Sequence, residues 1–151
     1  MEQRTPTELA RETVRQLTTR KLPPTPDNYQ RIWHEIADQP EARDVTVGVM
    51  GLGVLGADAV RKLKVMGFDV IGWSRRPKAI DGVETFDATS LDAFLGRADI
   101  LVGLLPLTDD TRGIYDRALF SKLRRTGALG GPVFLNAGRG GSQVEADIVD
   151  C

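Results

Sequence analysis

One glycine-rich segment constrains the fold of this chain more than any other part of its sequence. Three glycines lie within residues 51–56 (GLGVLG), directly after the apolar run 45–50 and before a helical pattern over 57–66. In such a unit the first glycine permits a tight turn, the second lets a pyrophosphate approach the backbone, and the third lets the helix pack on the strand. The helix N-terminus supplies free N–H groups and a positive dipole. We therefore expect a dinucleotide to bind Gly51, Gly53, Val54, Leu55 and Gly56, although a glycine-rich turn in another kind of α/β protein has the same pattern.

The second predicted strand, residues 69–73, is followed by a basic segment. NAD-dependent enzymes place an acidic residue near this point, where it contacts the ribose hydroxyls. Here the sequence continues as residues 74–78 (SRRPK), without an acid. Guanidinium groups suit a ribose 2′-phosphate because they form charge-assisted hydrogen bonds with it. We therefore expect Arg75 and Arg76 to favour NADP(H), with NAD(H) as the other possible cofactor; a solvated basic loop is the alternative interpretation.

Composition excludes several functional classes. At 151 residues the chain is long enough for one domain with a substantial core and too short for two full-sized domains. Its 20 basic and 21 acidic residues nearly balance. The chain therefore has no large positive charge that would attract nucleic acid or an anionic membrane. No apolar run reaches the roughly 18 residues of a membrane span. The single cysteine, Cys151, agrees with a reducing compartment, and we expect a cytoplasmic protein.

A change of composition near residues 39–43 divides the chain into a helical segment, 1–43, and an α/β domain, 44–151. Thr5 and Glu8 have the spacing of a capping box around Pro6, and the proline-rich stretch 22–26 separates two helical patterns. The apolar positions are Leu9, Thr13, Val14 and Leu17 in the first helix and Tyr29, Ile32, Trp33 and Ile36 in the second. This predicts a helical hairpin, which must pack on the other domain, on a second copy or on a partner.

In the α/β domain, short apolar runs alternate with helical patterns. Strands are expected at 45–50, 69–73, 83–86, 100–104 and 133–135, and helices at 57–66, 90–96, 115–125 and 144–149. Such alternation is typical of a parallel sheet covered on both faces. We therefore predict an α/β fold: a truncated, Rossmann-like, doubly wound parallel sheet preceded by the helical hairpin.

Two later segments directly follow predicted strands. Residues 104–111 (LLPLTDDT) and 136–140 (NAGRG) should lie at the carboxyl edge of the sheet, where ligands bind in open α/β folds. Arg139, flanked by small residues, could hold a carboxylate through two parallel hydrogen bonds and polarise a neighbouring carbonyl. The pair Asp109 and Asp110 lacks the further ligands of a metal site and is expected to be a pair of solvated turn charges.

With these motifs in order, residues 45–149 resemble the NAD(P)-binding domain of the D-isomer-specific 2-hydroxyacid dehydrogenases, and most closely their glyoxylate/hydroxypyruvate reductase A branch. The resemblance rests on residues 51–56, 73–75, 104–111 and 136–140. It implies that Arg139 is catalytic and binds the carboxylate and carbonyl of a small 2-oxoacid. It also implies a cofactor site that includes Trp73, Ser74, Leu105, Pro106, Thr111, Asn136, Ala137 and Gly138.

The same resemblance points to missing parts. The family's reaction needs an acid–base histidine, a glutamate that orients it and a substrate lobe, whereas the sequence contains one histidine, His34, within the hairpin. We therefore expect a truncated cofactor-binding domain that does not turn over substrate alone. Two alternatives remain: an active reductase completed by another chain, and an interaction or remnant protein that binds no cofactor.

Residues 5–38 resemble a different family, as they are similar to the N-terminal helical segment of certain bacterial diguanylate cyclases. Their helical pattern and the segment around 22–28 (LPPTPDN) carry this resemblance. Together the two resemblances indicate a hybrid chain. We expect a homo-oligomer, formed through the hairpin or through exposed parts of the sheet.

Overall fold

The computed structural model describes residues 5–37 and 40–149 and divides the chain into two compact units, residues 1–41 and 42–151. Of the boundary expected at residues 39–43, Gln39 lies outside the described residues, as does the single cysteine, Cys151.

The first unit is a helical hairpin of α1 (Pro6–Thr19) and α2 (Pro26–Ala37). The predicted capping box is present, because the Glu8 carboxylate accepts a hydrogen bond from Thr5 N–H at 2.8 Å and Glu8 N–H donates to the Thr5 hydroxyl at 3.4 Å. These contacts satisfy two backbone donors that a helix start otherwise leaves free. The sequence therefore predicted the first helix start correctly.

Contacts between the two helices hold the hairpin together. The Arg20 guanidinium donates two hydrogen bonds, of 2.9 and 2.7 Å, to the Glu35 carboxylate, and they lower the pKa of Glu35. Of the apolar positions expected to be buried, Val14 is 56% exposed, because the buried stripe of α1 is narrower than its apolar pattern. The buried residues are Leu9, Thr13 and Leu17 on α1 and Ile32 on α2.

The second unit is built on a five-stranded sheet in which every neighbouring pair is parallel. Its strand order, β3-β2-β1-β4-β5, reverses direction between β1 and β4. The strands are β1 (Thr46–Met50), β2 (Asp69–Trp73), β3 (Glu84–Phe86), β4 (Ile100–Gly103) and β5 (Val133–Asn136). The helices are α3 (Val54–Val65), α4 (Leu91–Leu95), α5 (Arg117–Phe120) and α6 (Glu145–Val149). This arrangement confirms the Rossmann-like fold.

Each face of the sheet carries its own core, because side chains alternate along the strands. On one face, Val47 and Val49 of β1 pack in a cluster with Val60 of α3. On the other, Met50 of β1 packs in a cluster with Phe94 of α4. Burial of a side chain of this size stabilises the fold by about 1.5–3 kcal/mol. Because both faces are covered, the sheet is doubly wound.

One predicted helix is much shorter than expected. The pattern over 115–125 predicted one continuous helix, but α5 contains only Arg117–Phe120. The Asp116 carboxylate caps its start by accepting a hydrogen bond from Leu119 N–H at 2.8 Å. Tyr115 is extended instead, because its N–H donates to the Ser142 carbonyl at 2.9 Å and its carbonyl accepts from Val144 N–H at 3.0 Å. The other strands and helices lie close to their expected bounds.

A buried carboxylate joins the strands at the end of the sheet opposite the carboxyl edge. Asp99, 1% exposed, accepts a hydrogen bond from Thr46 N–H through Oδ2 at 2.9 Å, and Arg124 Nη1 lies 3.6 Å from the same oxygen. The Asp99 carbonyl also accepts from Val133 N–H at 2.9 Å. The Asp99 side chain thus connects the starts of β1 and β4, and its backbone connects β4 to β5.

Removal of this carboxylate should weaken the sheet. We expect Asp99→Ala to lower the free energy of unfolding by about 1–3 kcal/mol, because Thr46 N–H loses its acceptor in a buried site. Asp99→Asn keeps an acceptor oxygen and similar volume, so its loss should be smaller. Urea unfolding of both variants measures the difference. Equal losses would show that the charge of Asp99 matters and the hydrogen bond to Thr46 does not.

Candidate functional site

A cleft of about 580 Å³ lies at the carboxyl edge of the sheet. Three chain segments line it, each directly after a strand or turn at that edge: residues 53–56, 104–107 and 137–139. They follow β1, β4 and β5, so the cleft spans the point where the strand order reverses. Ligands of open α/β sheets bind at this kind of reversal.

The glycine turn after β1 leaves room for a ligand and holds the helix close to the strand. Gly51 has φ +113°, a conformation that L side chains rarely adopt, and its N–H donates to the Trp73 carbonyl at 2.8 Å. A Cβ added at Gly56 would lie 1.7 Å from the Gly51 carbonyl oxygen, whereas a Cβ at Gly53 would meet nothing within 4 Å. The turn therefore leaves open space beside Gly53 while it keeps α3 in contact with the end of β1.

The N-terminus of α3 points its free backbone donors at the cleft. Gly53 is the N-cap residue and provides no side-chain cap, and the first helical hydrogen bond runs from Ala57 N–H to the Gly53 carbonyl at 2.9 Å. The N–H groups of Val54, Leu55 and Gly56 therefore have no partner within the helix. Such a helix start binds anions through these donors and through the helix dipole.

The loop after β4 is shaped by one buried threonine. The Thr111 hydroxyl donates to the Pro106 carbonyl at 2.5 Å and accepts a hydrogen bond from Thr108 N–H at 2.8 Å. Thr111 is 5% exposed, so its hydroxyl shapes the loop from behind the cleft. Leu105 and Pro106, which lie in the cleft wall, are held in place by these bonds.

Sequence reasoning missed a buried tyrosine in the core next to this loop. Tyr115 is 1% exposed and packs against Phe134 with the ring centroids 4.9 Å apart. Burial raises the pKa of Tyr115 to about 12, and within the described structure its hydroxyl has no hydrogen-bond partner. The hydroxyl therefore stays protonated at neutral pH. Only its apolar neighbourhood in sequence could have signalled this position, and that pattern instead suggested a helix.

Asn136 folds the turn that carries Arg139. Its amide nitrogen donates to the Arg139 carbonyl at 3.1 Å and to Gln143 Oε1 at 2.8 Å, and its amide oxygen accepts from Gly138 N–H at 3.0 Å. Ala137 N–H donates to the Gly103 carbonyl at 3.0 Å. Arg139 itself is exposed and lines the cleft. Asn136 therefore positions the turn and lies outside the cleft wall.

The residues that end β2 differ in their placement. The Trp73 indole is 5% exposed, belongs to the core and donates to the Asp87 carbonyl at 2.7 Å. Arg75 and Arg76 are exposed, and Arg75 Nη1 lies 2.8 Å from Asp110 Oδ2. Asp110 lies in a turn and its side chain is 70% exposed, as expected of a solvated turn charge, and its carboxylate is also paired with this guanidinium.

The structure therefore brings most of the sequence candidates together in one cleft. The candidates in its wall are Gly53, Val54, Leu55, Gly56, Leu105, Pro106, Ala137, Gly138 and Arg139. Gly51, Trp73, Ser74, Arg75, Arg76, Thr111 and Asn136 lie outside that wall. Leu104 and Leu107 also line the cleft; they belong to the motif 104–111 but were not named individually as site residues. Their apolar character alone gave no reason to separate them from core residues.

Metal-binding clusters and membrane-spanning helices are both absent from the described part of the chain. Residues 5–37 and 40–149 contain no cluster of three or more histidine, cysteine, aspartate or glutamate side chains that could hold a metal ion. The helices within those residues include none long and apolar enough to cross a membrane.

Two curated proteins similar to this chain have the same name. The glyoxylate/hydroxypyruvate reductase A of Serratia proteamaculans is 39% identical over 129 residues, which cover 82% of this chain and 39% of the relative. The protein of the same name from Yersinia enterocolitica is 38% identical over 122 residues, covering 80% and 37%. The chain thus spans well under half the length of these relatives.

Two solved structures have higher identities to this chain than these relatives. An NADPH-dependent glyoxylate/hydroxypyruvate reductase from Sinorhizobium meliloti, in apo form, has a TM-score of 0.73 and 57% identity over 96% of this chain and 74% of its own. A probable 2-hydroxyacid dehydrogenase from Rhizobium etli CFN 42, in complex with NADP, HEPES and L(+)-tartaric acid, has a TM-score of 0.72 and 56% identity. That match covers 97% of this chain and 48% of the other.

The matching family model, "D-isomer specific 2-hydroxyacid dehydrogenase, NAD binding domain", covers residues 16–151. It begins within α1, so the family region is longer than the motifs of residues 45–149 indicated and includes most of the hairpin. The resemblance of residues 5–38 to diguanylate cyclases stays a prediction. Because the family model matches most of the sequence, the chain belongs to the D-isomer specific 2-hydroxyacid dehydrogenases and contains their NAD binding domain.

Proposed function

We propose that this chain binds NADP(H) in the cleft at the carboxyl edge of its sheet. The observation that carries the proposal is the glycine turn: open space above Gly53 meets the uncapped N-terminus of α3. Arg75 and Arg76 stand at the end of β2, where an acid would favour NAD(H). Similar structures described as complexes with NADP support this choice of cofactor.

Each part of the dinucleotide has candidate partners. We place the pyrophosphate at the N–H groups of residues 53–56 and the 2′-phosphate at Ser74, Arg75 and Arg76. The nicotinamide half belongs beside the segments that follow β4 and β5. Leu105, Pro106, Ala137 and Gly138 supply small or apolar surface there, and Thr111 and Asn136 hold the two segments in position.

Arg139 is the proposed substrate-binding group. Its guanidinium can hold the carboxylate of a small 2-oxoacid such as glyoxylate or hydroxypyruvate and polarise the adjacent carbonyl. Among the residues that line the cleft, Arg139 is the one with a titratable side chain, and the single histidine, His34, belongs to α2 in the first unit. We therefore propose cofactor binding without turnover by this chain alone, with completion by another chain as the alternative.

The proposal also includes self-association and a cellular location. β5 is an edge strand of the described sheet, and its Val133 and Leu135 are 38% and 52% exposed. An edge with apolar side chains favours association with a second copy or another chain, and the hairpin is a second candidate surface. The single cysteine in the sequence agrees with a reducing compartment, and we propose the cytoplasm.

Loss of both basic side chains after β2 should abolish the preference for NADPH. We expect Arg75→Ala with Arg76→Ala to raise the NADPH dissociation constant at least about tenfold, because charge-assisted contacts to the 2′-phosphate are lost. The NADH constant should change little. Titration calorimetry measures both constants, and Arg61→Ala on the exposed face of α3 controls for the loss of one positive charge elsewhere on the surface. Unchanged NADPH affinity in the double variant would refute the assignment.

Two glycines of the turn should respond differently to the same substitution. We expect Gly53→Ala to fold normally but to bind NADPH about tenfold more weakly or worse, since its methyl group projects into the pyrophosphate space. Gly56→Ala should lower the free energy of unfolding by about 1–3 kcal/mol, because α3 must move away from Gly51. Thermal melts and NADPH titrations separate the two effects. Normal NADPH binding by Gly53→Ala would show that the pyrophosphate does not lie against Gly53.

Turnover is tested by following NADPH absorbance in the presence of glyoxylate. We expect the purified chain to bind NADPH without oxidising it above the background rate, because loss of acid–base catalysis alone slows such reactions about 10²- to 10⁴-fold. Arg139→Gln serves as the control. A glyoxylate-dependent rate that this substitution abolishes would establish an active reductase instead.

A further inference from the structure

An ion pair connects the two loops that flank the glycine turn. Arg75 follows β2 and Asp110 lies in the loop after β4, and these strands are the neighbours of β1 on its two sides. Arg75 Nη1 donates to Asp110 Oδ2 at 2.8 Å. The pair therefore joins the two loops across the carboxyl end of the strand that carries the glycine turn.

An exposed ion pair of this kind contributes little to the stability of a fold. The side chains of Arg75 and Asp110 are 55% and 70% exposed, and one hydrogen bond joins them. The loop of Asp110 is held independently, by the bonds of the Thr111 hydroxyl to the backbone of Pro106 and Thr108. An exposed pair of this kind can exchange one partner for another at little expense in stability.

We propose that Asp110 lowers the preference for NADPH over NADH by competing with the ribose 2′-phosphate for Arg75. This inference rests on the proposed function, in which Arg75 binds that phosphate. In the protein without cofactor, the carboxylate neutralises the guanidinium. A bound 2′-phosphate, which carries more negative charge, takes over Arg75 and leaves Asp110 unpaired beside it. NADH brings no such group, so its binding leaves the pair intact. Asp110 therefore weakens NADPH binding specifically.

The test is Asp110→Asn, which keeps the size of the side chain and removes its charge. We expect the NADPH dissociation constant to fall about two- to fivefold, the range by which an exposed ion pair shifts an equilibrium. The NADH constant should change by less than about twofold. The gain for NADPH should shrink between about 50 mM and about 500 mM salt, because added ions screen exposed charges.

Two controls separate competition for Arg75 from general repulsion of the phosphate. Asp109→Asn removes the same charge from the adjacent exposed position, and should change NADPH affinity less than Asp110→Asn does. In an Arg75→Ala background, Asp110→Asn should lose most of its effect, because no guanidinium remains to compete for.

The outcomes decide between the inference and the proposed function. Unchanged or weaker NADPH binding by Asp110→Asn, an equal gain from Asp109→Asn, or a full gain without Arg75 would each overturn the role of Asp110 while cofactor binding stands. Failure of the wild-type chain to bind NADPH, measured first by the same calorimetry, would overturn the proposed function and this inference with it.

Discussion

The close approach of Gly56 to the Gly51 carbonyl is the constraint on which the arrangement of the site depends. It allows α3 to start directly at the end of β1, without a loop that would carry its N-terminus away from the sheet edge. The free N–H groups of the first helical turn therefore meet the cleft wall formed after β4 and β5. A side chain at Gly56 would separate helix and strand, and the backbone donors would then no longer face the same space as Arg139.

The sequence predicted the elements whose signals are local. The glycine spacing in 51–56 and the apolar runs of the strands determine backbone conformation and burial within a few residues, so these elements lie where they were expected. The capping box at Thr5 and Glu8 is local in the same sense. The predicted helix over 115–125 starts later than expected because Tyr115 is held extended: its N–H donates to the Ser142 carbonyl and its carbonyl accepts from Val144 N–H. Those partners lie far along the chain, and local periodicity carries no information about them.

The candidate site divides in the same way. Backbone groups at the ends of parallel strands must share one edge, so the wall residues Gly53, Leu105 and Gly138 could be placed together from the sequence. The roles of individual side chains could not be predicted from the sequence in this way. Trp73 follows the family pattern, yet its indole belongs to the core, and Thr111 and Asn136 use their polar atoms to fold the loops behind the cleft. Their contribution is to position other residues.

The two ends of the proposed dinucleotide site depend on different kinds of interaction. At the glycine turn, backbone donors and the helix dipole act on the pyrophosphate, and the exact side chains of Val54 and Leu55 matter little to it. At the end of β2, the proposed interaction is between exposed side chains and the 2′-phosphate. Its strength depends on the net charge of Arg75, Arg76 and Asp110. Screening weakens only the second kind strongly. Cofactor affinity can therefore persist in salt that removes the preference between NADPH and NADH.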